Sequence, residues 1–126
     1  MTISAGSHDR TTIAPSVLLT IARQTALAVP GVAALAPVPG GVNRLFRRGV
    51  GEGVRISIEG GSATLELYLV LSRDSNVRQV GRAVQAEVAR AFQEMVGMSV
   101  DRVDVHVEDI DFGPPLPAGP DRSASP

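Results

Sequence analysis

The chain has 126 residues, 44% of them apolar and 20% charged, with a formal net charge of −1. Such totals belong to a globular protein with one core and exclude a nucleic-acid binder drawn in by its overall field. With no Cys, disulfide and thiol chemistry are excluded, and the 3% of aromatics leave the core to Val, Leu, Ile and Ala.

Residues 1–10 read as a flexible polar lead without the basic and apolar regions of a signal peptide. Residues 11–14 can form a short edge strand. Pro15 and Ser16 are helix-start residues, and Val17, Leu18, Ile21, Ala22, Thr25 and Val29 follow at helical spacing. Pro30-Gly31 stops that helix, and residues 32–36 form a short apolar strand. Residues 37–53 read as a loop rich in Gly and Arg. The longest uncharged stretch, 26–42, is broken by Pro30, Pro37 and Pro39, so it does not read as a membrane span.

A hairpin follows. Val54, Ile56 and Ile58 alternate with Arg55, Ser57 and Glu59; Leu65, Leu67, Leu69 and Leu71 alternate with Glu66, Tyr68 and Val70. Gly60-Gly61 between them suits a type I′ turn, because both residues tolerate positive φ. A two-residue loop pairs Glu59 with Ser62, Ile58 with Ala63, Ile56 with Leu65 and Val54 with Leu67. On the other face it sets Arg55 opposite Glu66 and Ser57 opposite Thr64. Turn chemistry and hydrophobic pattern fix the same register.

Residues 76–108 hold the strongest periodicity. Val77, Val80, Gly81, Val84, Val88, Ala91, Phe92 and Met95 recur every three or four positions and predict one helical face. Asp74, Ser75 or Asn76 can cap its start, and Gly97 can end it in a left-handed conformation. Val103, Val105 and Val107 then alternate with Arg102, Asp104, His106 and Glu108 as a half-buried strand. Residues 113–126 are Pro-rich and aperiodic and read as a disordered tail.

Three long strands with one apolar face each, and two helices with one apolar stripe each, predict an α+β two-layer sandwich. Both helices pack on one face of a small mixed sheet with a central hairpin. The opposite face then carries Arg55, Ser57, Glu59, Thr64, Glu66, Tyr68, Val70, Asp104, His106 and Glu108.

The helix ending in VPGVAAL, the GVRISIEGG strand, the LELYLVLSRDSNVRQVGRAVQAEVARAFQEMVGMSV block and the closing VDRVDVHVEDIDF occur in a characteristic order. Together they resemble the bacterial alkaline-shock, or envelope-stress-response, protein family over residues 11–112, as a single domain. The resemblance implies a small non-enzymatic protein without cofactors, cytoplasmic or peripheral at the inner face of the cell membrane. It implies homo-oligomerisation, association with a membrane-anchored protein and a role in cell-envelope stress or homeostasis. It carries no catalytic residues.

The residues themselves offer few sites. Arg44, Leu45, Phe46, Arg47 and Arg48 place three guanidiniums and an aromatic ring within five positions. Lipid headgroups, RNA phosphates or an acidic protein patch suit them, and so does a solvated loop whose Leu45 and Phe46 fold back on the core. This cluster is the candidate partner-binding site. Asp104, His106 and Glu108 at alternate positions invite a metal-assisted reading, against the plainer one of a solvated strand face. Gly49-Val50-Gly51-Glu52-Gly53 lead into a strand rather than a helix, which suits a connector and not a phosphate cradle. His8 lies in the polar lead. The acidic stretch 101–111 and the arginine cluster can meet head-to-tail between copies. Two classes of function follow: a self-associating scaffold docked on a membrane-anchored partner, and a small RNA-binding module using the Arg-bearing glycine loop. For the second, Tyr68 is the only stacking platform the outer sheet face supplies.

Overall fold

The alternating leucines set the centre of the sheet. The computed structural model describes residues 2–5, 9–39, 49–51 and 53–113. In chain order the elements are β1 (Thr2–Ala5), β2 (Asp9–Thr12), α1 (Pro15–Ala28), β3 (Val32–Leu35), β4 (Gly49–Gly51), β5 (Val54–Glu59), β6 (Ser62–Ser72), α2 (Val77–Val96) and β7 (Ser99–Asp111). In β6, Ala63, Leu65, Leu67, Leu69 and Leu71 are fully buried, the side-chain alternation expected of a strand with one face on a core.

Both edges of β6 are paired. β7 runs parallel along one of them, from Ser62 opposite Ser99 to Ser72 opposite Asp111. The other edge is divided between β5, antiparallel to its first half, and β3, antiparallel to its second. β5 and β3 meet at Tyr68. There the Tyr68 N–H donates to the Gly53 carbonyl (2.9 Å), and the Tyr68 carbonyl accepts from the Ala36 N–H (2.8 Å). The result is a mixed sheet, with β4 completing it beyond β5.

The hairpin register is the one the sequence predicts at every pair from Val54–Leu67 to Glu59–Ser62. Gly60 and Gly61 sit at φ +59° and +84°, as a type I′ turn requires. The cap residues of α2 also match. The Asn76 side chain accepts from the Gln79 N–H (3.0 Å). Gly97 takes φ +66° while the Gly97 and Met98 N–H groups close onto Gln93 and Phe92 carbonyls, which is the Schellman pattern.

Both helices pack on the same side of the sheet, α1 through Leu18, Ala22 and Ala26 and α2 through Val80, Val84, Val88, Phe92 and Val96. Because β6 and β7 are parallel, the chain must cross from one end of the sheet to the other, and α2 is that crossover. Gln85 fastens α2 to β7, its amide donating to the Val103 carbonyl (2.9 Å).

Three expectations are corrected. The lead is not without structure: Thr2–Ala5 pairs with Asp9–Thr12, so Thr11 and Thr12 belong to a separate two-stranded unit and not to an edge of the main sheet. Ile and Thr at paired positions suit extended backbone, which favours this pairing. The glycine-rich connector holds β4, whose Gly49–Gly51 pairs with Val54–Ile56 of β5; three residues with two glycines give no alternation to read. Finally, Val77 and Met95 are not on the buried face, being 46% and 66% exposed. The buried row advances by four residues, so it winds about 40° round the helix at each step. Val77 and Met95, at the two ends, fall beside it. Val17, also exposed, precedes Leu18 by about 100° round α1. The Pro-rich stretch 114–126 lies outside the described residues.

Gly53 stands where β5, β3 and β6 converge. At φ +74°, a Cβ there would lie 2.5 Å from the Leu35 Cβ and 2.9 Å from the Ala36 carbonyl oxygen, whereas one at Gly60 meets nothing within 4 Å. We therefore predict that Gly60→Ala costs only the left-handed strain of roughly 1–2 kcal/mol, and Gly53→Ala at least twice as much. Urea unfolding of the two variants checks this, and equal losses would refute the packing role of Gly53. Phe92→Ala, which empties a fully buried site on α2, is expected to cost about 3–5 kcal/mol in the same assay.

Candidate interaction surfaces

With both helices on one side, the other face of the sheet is left to polar side chains. Its centre is Glu66. The Tyr68 hydroxyl donates to Glu66 Oε1 (2.6 Å). Arg55, directly opposite Glu66 on β5, brings Nη1 to 3.7 Å of the same oxygen, and His106 on β7 brings Nε2 to 3.5 Å. Tyr68 and His106 are register partners, and their rings stack with centroids 4.6 Å apart and 12° between planes. One carboxylate oxygen on β6 thus ties together three strands.

The electrostatics follow from that convergence. The Glu66 carboxyl is held below its usual value, chiefly by the Tyr68 hydroxyl, with Arg55 and His106 acting in the same direction against partial burial. The Tyr68 phenol is pushed up, first by burial and then by its bond to Glu66. Arg55 Nε and His106 Nε2 are buried without a hydrogen-bond partner; both groups lean on an oxygen already taken by Tyr68.

The metal-assisted trio is not assembled. A register shift between the pairs Leu69–Val107 and Val70–Asp109 leaves Glu108 as an extra residue in β7. Asp104 pairs instead with Arg102 (3.2 Å), and His106 turns to Glu66. Among the described residues no three His, Cys, Asp or Glu side chains stand close enough to hold a metal ion. Ser57 faces Thr64 and lines a polar depression of about 290 Å³ with Arg55, Glu59, Ser62, Glu66 and Asp101, where no histidine stands beside it.

Arg44, Leu45, Phe46, Arg47 and Arg48 lie outside the described residues, as does His8. What can be placed is where their segment is anchored: it joins β3 to β4, both across β6 from β7. The neighbouring Gly49–Gly51 is strand β4 leading into another strand, so it presents no helix N-terminus to a phosphate.

Periodicity alone missed a groove between the helices. About 590 Å³ in volume, it has Ala28, Val29 and Pro30 on one wall and Ala83, Ala91 and Met95 on the other, with Glu87, Arg90 and Glu94 at its rim. Arg90 donates to both Glu87 and Glu94. The signal available in sequence was the three alanines, too short to close the gap between two helices.

Glu66 gives this surface a pH signature. A carboxyl whose folded value is depressed adds stability above its unfolded value and loses it as pH falls through the folded one. Tyr68→Phe is therefore expected to raise the Glu66 midpoint towards the ordinary carboxylate range and to shrink the acid-side stability change. Carbon-detected NMR titration of the Glu66 carboxyl reads this directly; an unmoved midpoint would show that Tyr68 does not set it.

Comparison with known proteins agrees with the architecture. The uncharacterized protein YqhY of Bacillus subtilis (strain 168) is 28% identical over 102 residues, 79% of this chain and 76% of the relative. YloU of the same organism is 23% identical over 83 residues, 65% of this chain and 69% of its own length. Among solved structures, a zinc form of a MamM CTD variant superimposes with a TM-score of 0.54 at 17% identity, covering 79% of this chain and 89% of that one. A copper form of MamM CTD gives 0.54 at 16%, covering 80% and 91%. At those identities the structural likeness speaks for the fold alone. The signature of the alkaline-shock protein family, described by its "cell envelope-related function", matches residues 4–112, and the chain belongs to that family, as the order of its motifs implied.

Proposed function

We propose that this chain works by contact, without turnover: a cytoplasmic scaffold of the cell envelope that self-associates and docks on a membrane-anchored protein. The observation that carries the reading is the one-sided placement of the helices. It leaves one whole sheet face and the groove between α1 and α2 facing outward, and the groove holds the 66%-exposed Met95. Family membership supplies the setting, a cell envelope-related function. No helix among the described residues is long and apolar enough to cross a membrane; in this reading a separate protein supplies the anchor. Arg44, Arg47 and Arg48, with Leu45 and Phe46 between them, are proposed as contact residues.

The RNA-binding alternative loses its platform. Tyr68 is only 6% exposed and its ring already lies on His106 beside the Glu66 carboxylate, so no base can stack on it without displacing that arrangement.

Co-sedimentation tests the proposal. Purified protein is mixed with native membranes, or with protein-free vesicles of phosphatidylglycerol and phosphatidylethanolamine, at low and high salt with labelled single-stranded RNA as competitor. We expect pelleting with native membranes only, and an assembly larger than the monomer by light scattering. Equal, salt-sensitive pelleting with vesicles would replace the protein anchor with direct lipid contact. Salt-sensitive RNA binding without pelleting would overturn the scaffold reading.

A further inference from the structure

The strand at the far edge of the sheet, β7, has a partner on one side only: among the described residues it pairs with β6 and with nothing else. Thirteen residues of edge strand form a template for another chain unless something blocks it. Here the blocks are local. The Gln85 amide occupies the Val103 carbonyl (2.9 Å), and the Asp109 carboxylate accepts from the Ile110 N–H (2.8 Å). Register shifts interrupt the ladder near Asp101 and Glu108.

The charge along this edge is one-sided. Arg102 is matched by Asp104, while the exposed Glu108, Asp109 and Asp111 form no ion pair among the described residues. Two β7 edges meeting about a two-fold axis would set these carboxylates against each other, so a symmetric contact through β7 is disfavoured. A cationic occupant is favoured. The chain's own concentration of positive charge, Arg44, Arg47 and Arg48, belongs to the segment joining β3 to β4. Its anchors stand on the opposite flank of β6 from β7, one or two strand spacings of about 4.8 Å beyond it. Donor and acceptor thus face away from one another across one sheet, the arrangement that joins copies head-to-tail.

Resting on the self-association reading above, we propose that the β7 edge around Glu108, Asp109 and Asp111 receives Arg44, Arg47 and Arg48 of a second copy. The contact is heterologous, so it propagates into a ring or an open chain.

Reciprocal charge reversal tests it. One variant carries Arg44→Glu, Arg47→Glu and Arg48→Glu; the other carries Glu108→Arg, Asp109→Arg and Asp111→Arg. Each alone brings like charges together and is expected to run as a monomer by multi-angle light scattering at low salt. Mixed one to one, each supplies the other's missing sign at both contacts, and the wild-type assembly mass should return. A neutral strand variant, Glu108→Gln with Asp109→Asn, keeps an acceptor for the Ile110 N–H and should weaken assembly roughly tenfold; it serves if the reversed strand fails a circular-dichroism melt. Retention of the wild-type mass by either reversed variant, or a mixture of folded variants that stays monomeric, would overturn the proposed contact. A monomeric wild-type protein would overturn self-association itself, which is a separate result.

Discussion

Most of this structure depends on β6 being paired on both edges. Its inward leucines supply the floor of the core, but the unusual demand lies in the backbone. One edge of Ser62–Ser72 must satisfy two strands that approach from the same side, and the change of partner takes place at a single residue, Tyr68. The N–H of that residue belongs to one neighbour and its carbonyl to the other. Any side chain at Gly53 would push the two apart, which is why the loop arriving there ends in glycine.

The parallel edge has a different consequence. A parallel neighbour requires a crossover, and a crossover helix must cover one face of the sheet. α1 joins α2 on that face, and small residues, Ala22 and Ala26, let it sit close. The second face is consequently stabilised by what its own side chains can do for each other. Glu66 does most of it, accepting from Tyr68 and drawing Arg55 and His106 from the strands on either side. The surface is polar by composition yet ordered in geometry, and Tyr68 is buried on the face where solvent was expected.

Much of this was legible in the residues. The hairpin register, the Asn76 and Gly97 caps and the two-layer architecture follow from spacing and turn chemistry, because each depends on neighbours close in sequence. The failures share a cause as well. The direction in which the buried stripe of α2 winds depends on how it crosses the sheet, so Met95 looked buried from its spacing and is not. The pairing of Gly49–Gly51 depends on β5 being nearby, and nothing in three residues announces it. The cluster about Glu66 needs β5, β6 and β7 side by side; the Arg55–Glu66 pair could be read from the hairpin, but His106 enters through a parallel pairing that no local pattern encodes. The acidic and arginine-rich stretches were visible from the start, while the opposite flanks on which β7 and the anchors of the arginine segment stand required the strand order.

The order in which these pairings can form is itself a consequence of the topology. β5 and β6 are joined by two glycines and can meet as soon as both exist, whereas β7 must wait for the whole of α2 to be made and folded back. Until then the leucine-rich strand keeps one open edge, on a chain that emerges from the ribosome with its β7 residues after all the other strands. Gln85, by reaching Val103 from the helix, links the arrival of β7 to the seating of α2. The final strand locks in place only once the helix above it is correctly turned, which makes closure of the sheet a check on the packing of the core.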